Sequence, residues 1–302
     1  MRVFVTGATG VMGRSVVSAL HGAGHTVVGL ARYDAKSVLL RDMDVIPVAG
    51  DYFDASSLAA AFTGCDVVCN MATHFPVGLA GIRPRAWKVN DRIRAEGSRI
   101  VAAAAERAGV DRLIQESVSF LYADGGEDTV TETSLVAVNR ATEPVVLAET
   151  HATAFTSAAR TGVVLRFGTI VGDDGLTRWR LDRARHGHPI GLGDPDGWIH
   201  VVHSDDVGSA VLAALTAPAG IYNAGARPIR RAEMVREFSA VFGRDEVGFV
   251  PKIVQRLAGE RLELLTRSQR VCSDLLMRSA AWKPVFPEFD REWLSPLVAT
   301  RA

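Results

Sequence analysis

The stretch Thr6-Gly-Ala-Thr-Gly-Val-Met-Gly13 constrains this chain more than any other part of it. It follows the β-branched and aromatic run Val3–Val5 and precedes an amphipathic stretch from Arg14 to His21. Three glycines therefore sit at a strand-to-helix turn, the context in which a glycine triplet carries information. Each has its own task. Gly7 permits the tight turn, Gly10 lets the backbone approach a diphosphate, and Gly13 lets helix and strand pack closely. The free amides at the start of the helix, with Thr9, Val11 and Met12 among the glycines, then face the anion. A purely structural glycine turn is the plainer alternative, but it would leave the spacing unexplained. The motif predicts a dinucleotide site on a Rossmann domain that begins at the first residue.

The rest of the chain supplies the partners such a motif needs. Strand-like runs are predicted at Thr26–Ala31, Asp44–Val48, Asp66–Asn70, Arg112–Gln115 and Val163–Arg166. Helical patterns separate them, from Arg85 to Ala108 and from Pro144 to Arg160. This alternation implies an α/β fold, a doubly wound parallel sheet covered on both faces. Beyond Gly172 the pattern breaks into an irregular stretch rich in Gly, Asp, Pro and Trp, running to Trp198. A helix over Asp205–Leu215 and a strand over Gly220–Asn223 are expected to return to the sheet. Helical patterns over Arg230–Gly243 and Pro251–Thr266 belong to a smaller C-terminal part. The expected division is 1–171 as the dinucleotide-binding domain, with 200–224 rejoining its sheet. Residues 172–199 and 225–302 then form the substrate-binding part.

Composition narrows the partners. Lys plus Arg and Asp plus Glu both number 34, so there is no basic field to hold nucleic acid. No apolar run reaches the ~18 residues of a membrane span, and the N-terminus reads as a strand rather than a signal peptide. Cys65, Cys69 and Cys272 show no metal-ligand spacing and read as free thiols. His200 and His203 lie close together without an acidic or cysteine partner at metal spacing, so no metal site is predicted. These observations describe a soluble, reduced, cytoplasmic chain with a small-molecule partner; they leave its oligomeric state open.

Which dinucleotide is bound depends on the end of the second strand. An NAD site usually carries a carboxylate there for the ribose 2′-hydroxyl. This chain reads Gly29-Leu-Ala-Arg-Tyr-Asp34, which puts Arg32 at that position. A guanidinium there matches a 2′-phosphate in fork geometry, so NADPH is expected. Asp34, two residues on, is the competing feature.

With these residues in view, the chain resembles the extended short-chain dehydrogenase/reductase superfamily, the NAD-dependent epimerase/dehydratase family. Thr6–Gly13 has that family's form of glycine motif. Gly50-Asp-Tyr-Phe-Asp54 resembles its adenine-side segment, which implies Asp51 and Tyr52 at the adenine. Val68-Cys-Asn-Met-Ala72 resembles the strand end along the cofactor ribose, implying contacts from Met71, Ala72 and the adjoining Thr73. Glu116-Ser-Val-Ser-Phe-Leu-Tyr122 resembles the serine segment. Leu165-Arg-Phe-Gly168 resembles the strand end bordering the nicotinamide, with Phe167 there, and His203-Ser-Asp-Asp-Val207 a late His-x-Asp-Asp signature.

The departure from the family is as informative. Its members use a Ser or Thr, a Tyr and a Lys, with Tyr and Lys four residues apart on a helix. Counting back from Ala148-Glu149, those two positions fall on Ala141 and Val145, and the serine position on Val118. No tyrosine in the chain is followed four residues later by lysine. Pro144 belongs in a first helical turn, so the helix is expected to start near Thr142 as its N-cap. The chain in this respect is similar to atypical ketoreductases of the angucyclinone type.

What is left for the chemistry is sparse. Ser117 and Ser119 are the candidate catalytic residues, as hydroxyls that orient a substrate oxygen, with backbone-satisfied strand-end hydroxyls as the alternative. Tyr122 reads as packing and Arg94 as lying on a solvated face; His74 is either a substrate contact or an idle loop residue, and His186 and His188 sit in a polar loop. Phe75-Pro-Val-Gly-Leu79, Trp179 and Trp198 are expected to wall the cleft mouth. The resulting expectation is reduction of a ketone on a hydrophobic or aromatic small molecule, with the proton drawn from a substrate hydroxyl. The alternatives are a non-catalytic NADP-binding sensor and an epimerase or dehydratase.

Overall fold

The computed structural model describes residues 1–299 apart from Glu246 and Ala258. The side chains of Leu79, Ile82, Val254, Arg256 and Leu257 also lie outside the described set. Seven strands form one sheet: β1 (Arg2–Thr6), β2 (Thr26–Ala31), β3 (Ile46–Ala49), β4 (Val67–Asn70), β5 (Arg112–Val118), β6 (Thr161–Phe167) and β7 (Gly220–Ala224). Their order is β7-β6-β5-β4-β1-β2-β3 and every pairing is parallel. The doubly wound expectation is met.

Period-two alternation explains how the sheet is covered. On β1, Val3 and Val5 join a core with Val16, Val17 and Leu20 of the helix Val11–Gly22 and Val207, Ala210 and Val211 of the helix Ser204–Ala214. Phe4 faces the opposite core, with Leu58 and Phe62 of the helix Ala55–Phe62 and Ile100, Val101 and Ala104 of the helix Ser98–Arg107. Burial on both faces is what an all-parallel sheet requires. Strand order reverses between β1 and β4, so a crevice opens at their C-terminal ends, where ligands of such sheets sit.

The C-terminal elements build a third core. Leu181 and Ala184 of the helix Gly175–Arg185 meet Met234, Val235 and Phe238 of the helix Arg231–Ala240, with Phe289, Trp293 and Leu294 behind. Asp206 ties this part to the sheet: buried at 1% exposure, its carboxylate accepts the backbone N–H of Val285 and of Phe286, at 2.7 and 2.9 Å. His203 begins the same helix and stacks on Phe286, with ring centroids 3.8 Å apart. The His-x-Asp-Asp signature is therefore structural in this chain.

Several expectations need correction. The stretch after Gly172 is not irregular throughout, since Asp174 caps the helix Gly175–Arg185 by accepting from Leu176 and Thr177 amides. The helices Asp34–Arg41 and Ala55–Phe62 were not anticipated. The pattern over Pro251–Thr266 is broken into Lys252–Leu257, Glu260–Glu263 and a single turn Leu264–Thr266. The helix Glu143–Ala154 carries Pro144 in its first turn, as expected, but the Thr142 side chain makes no cap bond. Its hydroxyl donates to the Ala137 carbonyl, and Asn139 Oδ1 accepts the amides of Ala141 and Thr142 instead.

Candidate active site

The glycine loop divides its three glycines by function. Gly7 has φ +64°, and a Cβ there would lie 2.9 Å from the Met71 carbonyl oxygen. Gly13 is forced by packing, since its Cβ would stand 2.1 Å from the Gly7 oxygen. Gly10 differs from both. Its φ of −79° and ψ of 178° suit any residue, and an added Cβ would meet only the Gly7 oxygen, at 3.1 Å. Neither backbone nor packing strongly demands glycine at position 10. The space in front of Gly10, at the uncapped start of the helix Val11–Gly22, is the cradle a diphosphate needs. The residues present fit a dinucleotide.

One cation touches this loop and a second follows the neighbouring strand. Arg32 follows β2 directly, is exposed, and makes no hydrogen bond or ion pair with any described residue. Lys36, half-buried on the helix Asp34–Arg41, donates from Nζ to Thr9 Oγ1 at 3.0 Å. Sequence reasoning missed Lys36, although its place one helical turn past Arg32 was available as a signal. Asp34 is exposed in the first turn of that helix.

On the adenine side, Asp51 is exposed and its Oδ1 accepts the Phe53 amide at 3.0 Å. Tyr52 turns inward: its ring is 6% exposed and packs so closely on Gly97 that a Cβ there would lie 2.3 Å from Cε1. Its hydroxyl donates to Asn70 Oδ1 at 3.0 Å, and burial pushes its pKa up. Asn70 Oδ1 also takes the Thr6 hydroxyl at 2.6 Å and Asn70 Nδ2 donates to Gln115 Oε1 at 2.8 Å, a buried ladder that fixes the ends of β1, β4 and β5. Met71 and Phe167 send their side chains into the core, whereas Ala72 and Thr73 are half-buried at the crevice.

The two candidate serines part company. Ser117 donates to Glu149 Oε1 at 2.5 Å. Glu149 in turn receives Arg166 in a two-pronged pair, Nε to Oε1 at 2.8 Å and Nη2 to Oε2 at 2.6 Å. Arg166 Nη1 donates to the Tyr122 hydroxyl, which donates to Asn223 Oδ1, both at 2.8 Å. All five side chains are buried, so Ser117 belongs to a satisfied internal network and Tyr122 packs as expected. Ser119 lies elsewhere. Together with Phe120, Thr169, Arg180, His200 and Arg231 it lines a cavity between the sheet's C-terminal edge and the C-terminal part. Its Oγ lies 3.0 Å from His200 Nδ1, and His200 Nε2 lies 3.3 Å from Ser273 Oγ. Burial pushes His200 down to about 3, so the ring is neutral.

Val118, Ala141 and Val145 stand where the family's hydroxyl, tyrosine and lysine were sought. Each is at most 9% exposed, and Val118 and Val145 form a small apolar cluster with Leu121, Phe120 and Val136. Arg261 closes over this region, donating to the Ala141 carbonyl at 3.3 Å and to Asp91 Oδ2 at 2.5 Å.

Other placements differ from expectation. Arg94 is not solvated: at 4% exposure it pairs with Glu116 at 2.7 Å, and burial pushes the Glu116 carboxyl up. Trp179 does meet the Phe75–Leu79 loop, packing against Gly78, and Phe75 approaches Phe120 edge-on at 6.3 Å. The Leu79 side chain falls outside the described residues. Trp198 is absent from the cavity wall; the Arg230 guanidinium lies 3.8 Å from its ring centroid and its Nε1 donates to Glu127. Cys65 and Cys69 are buried free thiols, the latter pushed up to about 12 by desolvation. No helix among the described residues is long and apolar enough to cross a membrane.

Residues 3–225 match the NAD dependent epimerase/dehydratase family. The chain belongs to that family. Within it, the chain is 29% identical over 305 residues to a 3-diazoavenalumate denitrifying reductase from a Streptomyces species, covering 96% of this chain and 98% of the relative. A shorter match, 30% over 125 residues, joins 41% of this chain to 36% of a 4-hydroxy-2-methyl-3-oxo-4-farnesyl-3,4-dihydroquinoline-1-oxide ketoreductase from Stigmatella aurantiaca. The human epimerase family protein SDR39U1, solved with NADPH, superimposes with a TM-score of 0.80 over 99% of both chains at 21% identity. This family member therefore has reductases among its relatives.

Proposed function

We propose that this chain is an NADPH-dependent reductase of a ketone on a hydrophobic, aromatic small molecule, with Ser119 as the group that orients the reacting oxygen. The observation that carries the reading is the cavity holding Ser119 and His200, beside an apolar cluster at the positions where the family's acid was sought. The names of the two relatives, one a reductase and one a ketoreductase, favour reduction over epimerisation.

A nicotinamide dinucleotide held there would supply the hydride. The amides of Gly10, Val11 and Met12 would hold its diphosphate in a loop shaped by Gly7 and Gly13, Arg32 and Lys36 would meet its 2′-phosphate, and Asp51, Ala72 and Thr73 would border the nucleoside. Neutral His200 sets the rotor of Ser119. If Ser273 donates to Nε2, then Nδ1–H donates to Ser119 Oγ, leaving the Ser119 hydroxyl hydrogen free to point into the cavity. That hydrogen stabilises the oxygen as negative charge develops there. His200 at a pKa of about 3 cannot serve as the acid at neutral pH. The proton comes instead from a substrate hydroxyl beside the carbonyl, a phenol of pKa near 10, at the high effective concentration of one molecule.

Steady-state NADPH oxidation with an aromatic ketone bearing a neighbouring phenol, and with its methyl ether, tests the scheme. The phenol is expected to turn over far faster. Ser119→Ala should slow it about ten- to a hundred-fold, by analogy with loss of one oxyanion donor. Equal rates for phenol and ether, or an unimpaired Ser119→Ala, would overturn the mechanism.

A further inference from the structure

The helix Gly175–Arg185 and the first residue of the helix Arg231–Ala240 bring two arginines to one wall of the cavity. Arg180 is 6% and Arg231 4% exposed. Arg180 Nη1 is enclosed without an acceptor, and this guanidinium makes no hydrogen bond or ion pair with any described residue. The carboxylate that acts on it electrostatically is Asp174, whose oxygens are already occupied. Asp174 accepts the Leu176 amide at 2.8 Å, the Thr177 amide at 3.0 Å and the Thr177 hydroxyl.

Arg231 is held, but only by neutral groups. Nη1 donates to the Leu192 carbonyl at 3.1 Å and Nη2 to the Arg267 carbonyl at 2.6 Å, while Nε is buried without a partner among the described residues. Burial, and the nearby charge of Arg180, pull its pKa down to about 10, so it remains cationic at neutral pH. Asp124 and Asp194 act on it from beyond ion-pair range. Elsewhere the chain pairs its buried arginines: Arg94 has Glu116 and Arg166 has Glu149. Buried charge is costly unless paired and hydrogen-bonded. Two neighbouring cations with open N–H groups in one cavity therefore await an anion from outside the chain.

We infer that Arg180 and Arg231 form a clamp for a carboxylate on the substrate. This deepens the reading of the cavity as the substrate site and rests on it. Guanidinium N–H groups in pairs match the two oxygens of a carboxylate. Beside the polar Ser119, Thr169, His200 and Gln269, the wall offers the apolar Phe120, Ile190, Leu192, Ile199, Met234 and Leu264, which suit the body of an aromatic acid. A nucleotide diphosphate shares the anion chemistry and is the competing source.

Calorimetry on the NADPH-loaded protein separates these outcomes, with benzoate, benzamide and UDP as probes. Benzoate is expected to bind at least ten-fold more tightly than benzamide. Arg180→Met, which removes no internal bond, should bring benzoate to the benzamide level while NADPH titrates as in the parent, showing that the variant is folded. Arg231→Lys, which keeps charge but loses the fork, should weaken benzoate as well. Benzoate binding no better than benzamide, including no binding of either, overturns the clamp, as does an Arg180→Met variant that binds benzoate normally. Tight UDP with weak benzoate overturns the carboxylate in favour of a nucleotide diphosphate. If NADPH does not bind the parent, the benzoate–benzamide contrast is read on the unloaded protein, with folding of the variants checked by thermal melt, and only the reductase reading is overturned.

Discussion

Alanine placed at Gly10 and at Gly13 should produce opposite phenotypes from the same chemical change. At Gly13 the new methyl would lie 2.1 Å from the Gly7 oxygen and 2.6 Å from the Ala8 Cα, both backbone atoms that cannot step aside. Overpacking of this kind costs about 3 kcal/mol, or a fall in melting temperature of about 5 °C for a chain of 302 residues. At Gly10 the methyl would meet one oxygen at 3.1 Å, in a conformation open to any residue. The fold should lose less than about 1 kcal/mol, since alanine also restricts the unfolded chain. The methyl does, however, occupy the space in front of the helix start. Losing one charge-assisted bond to phosphate is worth about 1.5–3 kcal/mol, so NADPH should bind about ten- to a hundred-fold more weakly. Thermal melts report the first effect and calorimetric titration the second. A Gly10→Ala variant that melts like the parent and binds NADPH with the parent's affinity would refute the assignment of the cradle.

Two further outcomes follow from the charges. NADPH should bind at least ten-fold more tightly than NADH, and Arg32→Ala should erase most of the gap while leaving NADH nearly unchanged; equal affinities in the parent would remove the basis for NADPH. His200 is pushed down to about 3 from 6.5 by burial, so the native state holds it neutral while the unfolded chain takes up a proton below about pH 6.5. Its contribution is complete above that pH and is lost as pH falls towards 3, reaching about 2 kcal/mol at pH 5. In urea titrations the stabilities of the parent and His200→Gln should converge by about that amount between pH 7 and pH 5; parallel pH profiles would show that the ring is not buried neutral.

The parts of this molecule that were legible in its sequence are those set by local rules. Gly7 needs a positive φ and Gly13 a close approach, and both requirements are written into residue type. The strands of the sheet announce themselves because burial on both faces leaves unbroken apolar runs such as Val67–Val68 on β4. The helix Gly175–Arg185 was missed for a physical reason: its buried face is Thr177, Arg180, Leu181 and Ala184, so a charged residue occupies an apolar position of the repeat. The feature that hid the helix is the one that now lines the cavity beside Ser119. Arg94 was misread because its partner, Glu116, is brought to it only by tertiary structure. Ser117 and Ser119, two residues apart on the same strand end, could not be told apart until Glu149 and His200 arrived from distant segments.

Asp206 has a consequence for how the molecule comes apart. The backbone amides of Val285 and Phe286 are fastened to a carboxylate that belongs to a helix covering the central sheet. Detaching the C-terminal tail forfeits two charge-assisted bonds and unstacks Phe286 from His203 in the same motion. Small local openings there are therefore expensive, and amide protons of the tail should exchange with solvent on the timescale of the sheet rather than of a frayed terminus. The tail thus comes away with the sheet rather than ahead of it.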